Sequence, residues 1–389
     1  MTTISPQHIC LLPAAEQKLR LGKLALKSPA LVCDNATLFY LTGRVFAGYM
    51  FIRPDETTPT YFVKRPVNLA GENIVRIRKP EDIIGTTDPV AELGLELASL
   101  PYSDVLRLQK ALQAGSLVDV SSLLMTARSV KTPYEIALLK DDGIRHTEIY
   151  SRIPSLYREG MTDVELQIEI ERESRLKGCL GIFRVNGPSM ELHMGNVLAG
   201  DNADAPSPYD FAMGGAGMHP SIPVGASGEI IRPGDAVMID MNGNFNGYMT
   251  DMTRTFSCGT LSPLAMKAHQ CSIAICHRLA EIGVPGAEAK VLYEEARAMA
   301  AAEGLEEYFM GHRSHAGFVG HGIGIQVNEL PVIAPRSRHI LEENNVIALE
   351  PKFVIPGTGA VGVENTYVVT ASGMRPITNA PEQIIDLLP

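Results

Sequence analysis

Two segments of this chain, far apart in sequence, share a pattern that could do chemistry. Ile231-Arg-Pro-Gly-Asp235 leads into the apolar run Ala236–Ile239 and then Asp240. Leu341-Glu-Glu-Asn-Asn345 leads into Val346–Leu349 and then Glu350, so that Asp240 and Glu350 occupy matching places. Each segment continues through a Gly-containing turn into a returning strand with one more acid, Asp251 in Tyr248–Arg254 and Glu364 in Val361–Thr366. A carboxylate at the end of a buried apolar strand is costly unless it is paired, protonated or bound to metal. Four acids drawn together repel one another, and two divalent ions neutralise them. Two-metal hydrolytic sites share carboxylates in this way, with ions about 3.5–4 Å apart. The competing reading is four unrelated acids on a solvated surface; the duplication argues against it. His321, in Gly320-His-Gly-Ile-Gly324, completes the set. Its glycines let the backbone approach a site closely. They also look like a dinucleotide fingerprint, but no βαβ unit or later ribose-binding acid accompanies them.

These residues need elements to position them. Ala30–Cys33 reads as a short strand, Leu38–Thr42 as a further apolar strand ended by Gly43, and Tyr49–Ile52 with Thr60–Val63 as a strand pair. Asp104–Ala114 has helical spacing, with Val105, Leu108 and Leu112 on one side. This first part carries no clustered His, Asp and Cys and reads as scaffold. Thr132-Pro133 with Glu135 starts a long helix to about Tyr157, and Thr162-Asp-Val-Glu165 is a capping box for a second to Lys177. Residues 200–228, rich in Gly, Pro, Ala and Ser, form an irregular segment expected to border the site. Pro263–Ile282 and Ala287–Glu303 read as helices, and the remainder as strand.

The chain of 389 residues suits two domains, and 45% hydrophobic with 20% charged residues is ordinary globular composition. A net charge of −10 argues against a general nucleic-acid binder. Met1–Arg20 shows no charged start followed by an apolar stretch, and no run is long enough to span a membrane. A cytoplasmic protein is the expectation. Cys271 and Cys276 with His269 and His277 could suggest zinc, but no second cysteine pair accompanies them. Small thiols packed in a helix are the plainer reading.

The five candidate ligands, in this order and context, resemble those of the pita-bread metallopeptidases, the family of methionine aminopeptidase, aminopeptidase P, prolidase and creatinase. The matching pieces are Ile239–Gly243, Thr250–Phe256, Gly320–Gly324, Leu349-Glu350-Pro351 and Val363–Thr366. Tyr40–Gly43 and Arg128–Glu135 resemble the branch with an extra N-terminal domain. The resemblance implies an α+β chain: a smaller α/β N-terminal domain over 1–130, then a pita-bread catalytic domain with a pseudo-twofold repeat over 131–389. It implies that Asp251 and Glu364 bridge two divalent ions, that Asp240 binds one, and that His321 and Glu350 bind the other. A water between the ions would be the nucleophile, with Glu350 relaying its proton. Manganese, cobalt, iron or zinc suit this donor set, and the resemblance favours manganese. It also implies a homodimer acting on small peptides.

Several positions depart from the family pattern. Asn328 stands where peptidase members place a second histidine, Gly362 where aminopeptidase P and prolidase carry an arginine, and Gly317 where aminopeptidase P has another histidine. A further family histidine falls near Pro223, and the nearest here is His219. Asn328, His219, His312 and His315 are therefore the candidates for the substrate-handling shell, with His193 and Arg184 weaker. Arg254 reads as a structural partner of an acid. Three functions compete: an aminopeptidase P or prolidase-type peptidase, a hydrolase of a small non-peptide amide, and a non-catalytic binding protein that kept the fold.

Overall fold

The computed structural model describes residues 6–54, 56–187, 192–209 and 213–388. Contacts divide the chain into two units, Met1–Arg128 and Ser129–Pro389.

The first unit is built on one mixed six-stranded sheet. Its strands are β1 (Ala30–Val32), β2 (Ala47–Ile52), β3 (Thr60–Arg65), β4 (Ile74–Arg76), β5 (Glu92–Leu95) and β6 (Ser116–Asp119), in the order β4-β3-β2-β1-β5-β6. Helices α1 (Ala14–Lys23), α2 (Asn35–Thr42), α3 (Tyr102–Ala111) and α4 (Ser121–Ser129) complete it. Val105 and Leu108 of α3 pack on Leu31, Phe51, Phe62 and Leu93 of the sheet. The expected strand at Leu38–Thr42 is instead α2. Asp34 caps its start by accepting from Ala36 N and Thr37 N, and Gly43 ends it in the left-handed conformation at φ 69°. The run is apolar on every side, so its periodicity is silent and the caps decide.

The second unit has two sheet layers facing each other, each covered outside by a helix pair. Helices α5 (Pro133–Leu156) and α6 (Asp163–Leu176) cover one face of β7 (Gly195–Ala199), β8 (Ala236–Gly243) and β9 (Thr250–Ser257). Both helices begin where expected: Thr162 with Glu165 forms the expected capping box, and Thr132, expected as a cap, forms a second one with Glu135. Helices α7 (Pro263–Ile282) and α8 (Ala289–Ala302) cover the other layer. That layer contains β10 (Gly320–Gly322), β11 (Glu329–Ile333), β12 (Val346–Leu349), β13 (Lys352–Ile355), β14 (Gly359–Gly362), β15 (Asn365–Thr370) and β16 (Gly373–Pro376). A last short strand, β17 (Ile385–Asp386), runs parallel to β9.

Strand alternation then fixes the faces. Val237, Ile239 and Met241 of β8 point at α5 and α6, where Tyr150 ties its hydroxyl to Met241 N and to the carbonyls of Ile239 and Met252. Asp240 therefore points the other way, at the opposing layer. On β9, Asp251, Thr253 and Thr255 share that inner face, while Met252 and Phe256 join the helix side. The second hairpin is broken in the middle. β12 pairs with β15, and β13 with β14, leaving Glu350-Pro351 and Val363-Glu364 at the break. Its register sets Glu350 opposite Glu364.

A buried ion pair anchors the entry to this unit. Lys131 Nζ lies 2.9 Å from Glu329 Oε2, with both side chains buried, and the other Glu329 oxygen accepts from Ile325 N and Gln326 N. Removing one partner of such a pair strands the other charge. Lys131→Met is expected to lower the unfolding free energy by roughly 3–5 kcal/mol in urea denaturation; an unchanged midpoint would contradict the role assigned to the pair.

Candidate metal centre

The inner faces bring all five expected ligands into one cluster, hydrogen-bonded apart from the Asp251 side chain, and they add a cation that the sequence reading did not place. Lys352 Nζ donates to Asp240 Oδ2 at 2.8 Å, Glu350 Oε2 at 3.0 Å and Glu364 Oε2 at 2.9 Å. The lysine is fully buried. Its signal was present in the sequence: it stands two residues after Glu350, and extended chain returns every second side chain to the same face.

Asp251, His321 and Glu364 also each offer a ligand atom, all within 4.8 Å of one another. His321 Nε2 lies 3.2 Å from Glu350 Oε1, and its Nδ1 lies 3.1 Å from the Gly322 carbonyl. Thr253 donates to Glu364 Oε2 at 2.7 Å, while Glu364 Oε1 is buried with no hydrogen-bond partner. An orphaned carboxylate oxygen beside an aspartate and an imidazole fits a divalent cation, which Asp251, His321 and Glu364 would hold.

The titrations express the same demand for positive charge. Burial, reinforced by the charge of Asp240, raises the Asp251 carboxyl to about 7. Burial together with Asp251 raises Glu364 well above the carboxylate range. Burial pulls against ionisation of Glu350 too, but Lys352 and His321 outweigh it and hold that carboxyl low. His321 is opposed by burial yet lifted to about 9 by its bond to Glu350.

The surrounding strands position these groups. Asp251 N donates to Thr366 Oγ1 and Asp251 O accepts from it, at 2.8 and 2.9 Å. Thr255 Oγ1 exchanges 2.9 Å bonds with both backbone groups of Gly362. Arg254, on the opposite face of β9, donates to the carbonyls of Thr253, Glu364, Ala380 and Pro381 and to Asn365 Oδ1. It is structural as expected, but these bonds go to carbonyl oxygens rather than to a carboxylate. The glycines beside His321 serve strand packing: a Cβ on Gly322 would meet the Leu330 carbonyl at 2.0 Å. At position 362 the absence of arginine has a steric side. Gly362 adopts φ 148°, and a Cβ there would lie 2.8 Å from Pro351 O and 3.0 Å from the Cα of Lys352, its cross-strand partner.

Among the described residues the hydrogen-bonded group does not extend to His219, Asn328 or His315. His219 is exposed and bonds within its own turn to Ser221. Both amide atoms of Asn328 bond the backbone of Asn186 at 2.7 Å, which clamps the 182–187 segment. His315 bonds the Phe309 carbonyl, and His312 is tied to Asp204 at 2.9 Å. His315 does line a cavity of about 220 Å³ with Asp204, Tyr209, Met213, Gly311 and Val354. None of the five ligands lines it, but Val354 shares a strand face with Lys352. The 203–209 stretch of the 200–228 segment borders this cavity rather than the five ligands; residues 210–212 of that segment and 188–191 lie outside the described residues. Cys271 and Cys276 are buried in α7, where His269 and His277 bond Glu382.

Residues 137–371 match the model of metallopeptidase family M24, and residues 27–130 that of the creatinase/prolidase N-terminal domain. An uncharacterised peptidase of Bacillus subtilis, YqhT, is 28% identical over 95% of this chain and 99% of its own. A Xaa-Pro dipeptidase of Pyrococcus horikoshii is 25% identical over 91% of this chain and 93% of its own. Among solved structures, prolidase from Pyrococcus horikoshii superposes with a TM-score of 0.79 at 22% identity, covering 95% of this chain and all of that one. A Xaa-Pro dipeptidase from Bacillus anthracis also gives 0.79, at 24% identity over 96% and 99%.

Because Asp251 and His321 hold protons near neutral pH, cation binding must expel them. Affinity for Mn²⁺ is therefore expected to fall at least about tenfold from pH 8 to pH 6 in calorimetry. Equal affinity at the two values would contradict the protonation states assigned here.

Proposed function

Because the chain belongs to metallopeptidase family M24, we propose that it cleaves short peptides in the manner of a Xaa-Pro dipeptidase or aminopeptidase. The observation that carries this reading is the acid-and-imidazole set: Asp240, Asp251, Glu350 and Glu364 from two related hairpins, with His321 on the neighbouring strand β10. The Xaa-Pro dipeptidase of Pyrococcus horikoshii, similar over almost its whole length, supports the substrate class.

A divalent ion held by Asp251, His321 and Glu364 supplies Lewis acidity toward a carbonyl and toward water. The chain's own residues do the rest. Glu350, kept ionised by Lys352 and His321, is placed to take up a proton and return it to a leaving amine. Thr253 holds Glu364 in orientation, and Tyr150 holds β8 to β9, so the donors stay on rigid strands. Manganese is the proposed ion and a homodimer the proposed assembly.

A second reading, hydrolysis of a small non-peptide amide, draws on Asn328. Its amide is committed to Asn186, so it supplies no histidine-like proton carrier.

The Mn²⁺-loaded protein is expected to hydrolyse Xaa-Pro dipeptides, and Glu350→Gln to lower kcat by roughly 10²–10⁴ with an unchanged circular dichroism spectrum. No turnover of any Xaa-Pro peptide by metal-loaded protein would contradict the peptidase proposal. Turnover confined to cyclic or guanidino amides would favour the second reading.

A further inference from the structure

We infer that the Lys352 ammonium stands in the place of a second metal ion, so that this chain binds one divalent cation and not two. The inference rests on the metal-dependent reading above and concerns how many ions the site takes. Its basis is the division of one acid cluster between two kinds of cation. Asp240 Oδ2, Glu350 Oε2 and Glu364 Oε2 all converge on Lys352 Nζ at 2.8–3.0 Å. A divalent ion bonded to those three oxygens sits about 2.0–2.2 Å from each, and so competes with the ammonium for the same lone pairs.

The lysine is held in this position by burial and by its backbone. It is completely buried, its carbonyl accepts from Met310 N at 2.8 Å, and its strand is paired residue for residue with β14. Displaced from the carboxylates, its charge would be left in the interior without a partner, which is costly.

The remaining donors suffice for one ion. Asp251, His321 and Glu364 each offer a ligand atom within 4.8 Å of one another, and Glu364 Oε1 is buried without a hydrogen-bond partner. Glu364 thus gives one oxygen to the ammonium and keeps the other for the metal. Asp240, expected from the family pattern to bind an ion, binds the lysine instead. A carboxylate bridge between a fixed ammonium and one ion replaces a carboxylate bridge between two ions.

The test is a metal count. Protein stripped with chelator, reloaded with Mn²⁺ and desalted is analysed by inductively coupled plasma mass spectrometry, with the stoichiometry of Mn²⁺ titration measured in parallel. The wild type is expected to hold one ion per chain. Lys352→Ala, which removes the ammonium, is expected to hold two, a twofold rise. Two ions per wild-type chain would overturn the inference and leave the metal-dependent reading intact. No bound ion would overturn both. One ion in a folded Lys352→Ala protein would show that the lysine does not keep the second place. If that variant does not fold, the wild-type count decides alone.

Discussion

Four carboxylates gathered at the meeting of two sheets must be balanced by positive charge, and the structure is organised around that requirement. Asp240 and Asp251 come from one hairpin, Glu350 and Glu364 from the other, and Lys352 lies among three of them. Such a group in a low-dielectric interior is unfavourable until each charge meets an opposite one. The proton retained on Asp251 and the orphaned oxygen of Glu364 mark where charge is still wanting. A site with that residual demand takes up a cation. A site fully satisfied by lysines and arginines would not.

The scaffold meets the requirement by using the two faces of each layer differently. Outer faces carry Val, Ile, Leu and Ala against α5–α8, and this apolar burial supplies the stability. Inner faces carry the acids together with Thr253, Thr255 and Thr366, whose hydroxyls tie one hairpin to the other. The polar seam alone would hold the layers weakly. Held from outside, it can be polar, and the site residues need not contribute to stability. This division also explains why departures at 328 and 362 leave the ligand group intact: both positions pack backbone, one by bonding Asn186 and one by admitting Lys352 across the strand pair.

The acids of the candidate site were legible because a carboxylate at the end of an apolar strand is improbable, and its repetition in a second segment with the same order is more so. The long helices were legible from their caps, since Thr132-Glu135 and Thr162-Glu165 form bonds within four residues of chain. Three features were not. Leu38–Thr42 is apolar at every position and carries no period, so only Asp34 and Gly43 distinguish helix from strand. The role of Asn328 depends on a segment 142 residues away. Lys352 was open to inference from its spacing to Glu350, yet its meaning lies in the distance to Asp240 across the layers, which one strand's sequence does not contain.

The measurement that bears most directly on this account is anomalous diffraction at the manganese edge from crystals grown with excess Mn²⁺. One peak is expected, bonded to Asp251, His321 and Glu364, with the Lys352 ammonium still on Asp240 and Glu350. Two peaks with the lysine turned away, or none between the hairpins, would contradict it.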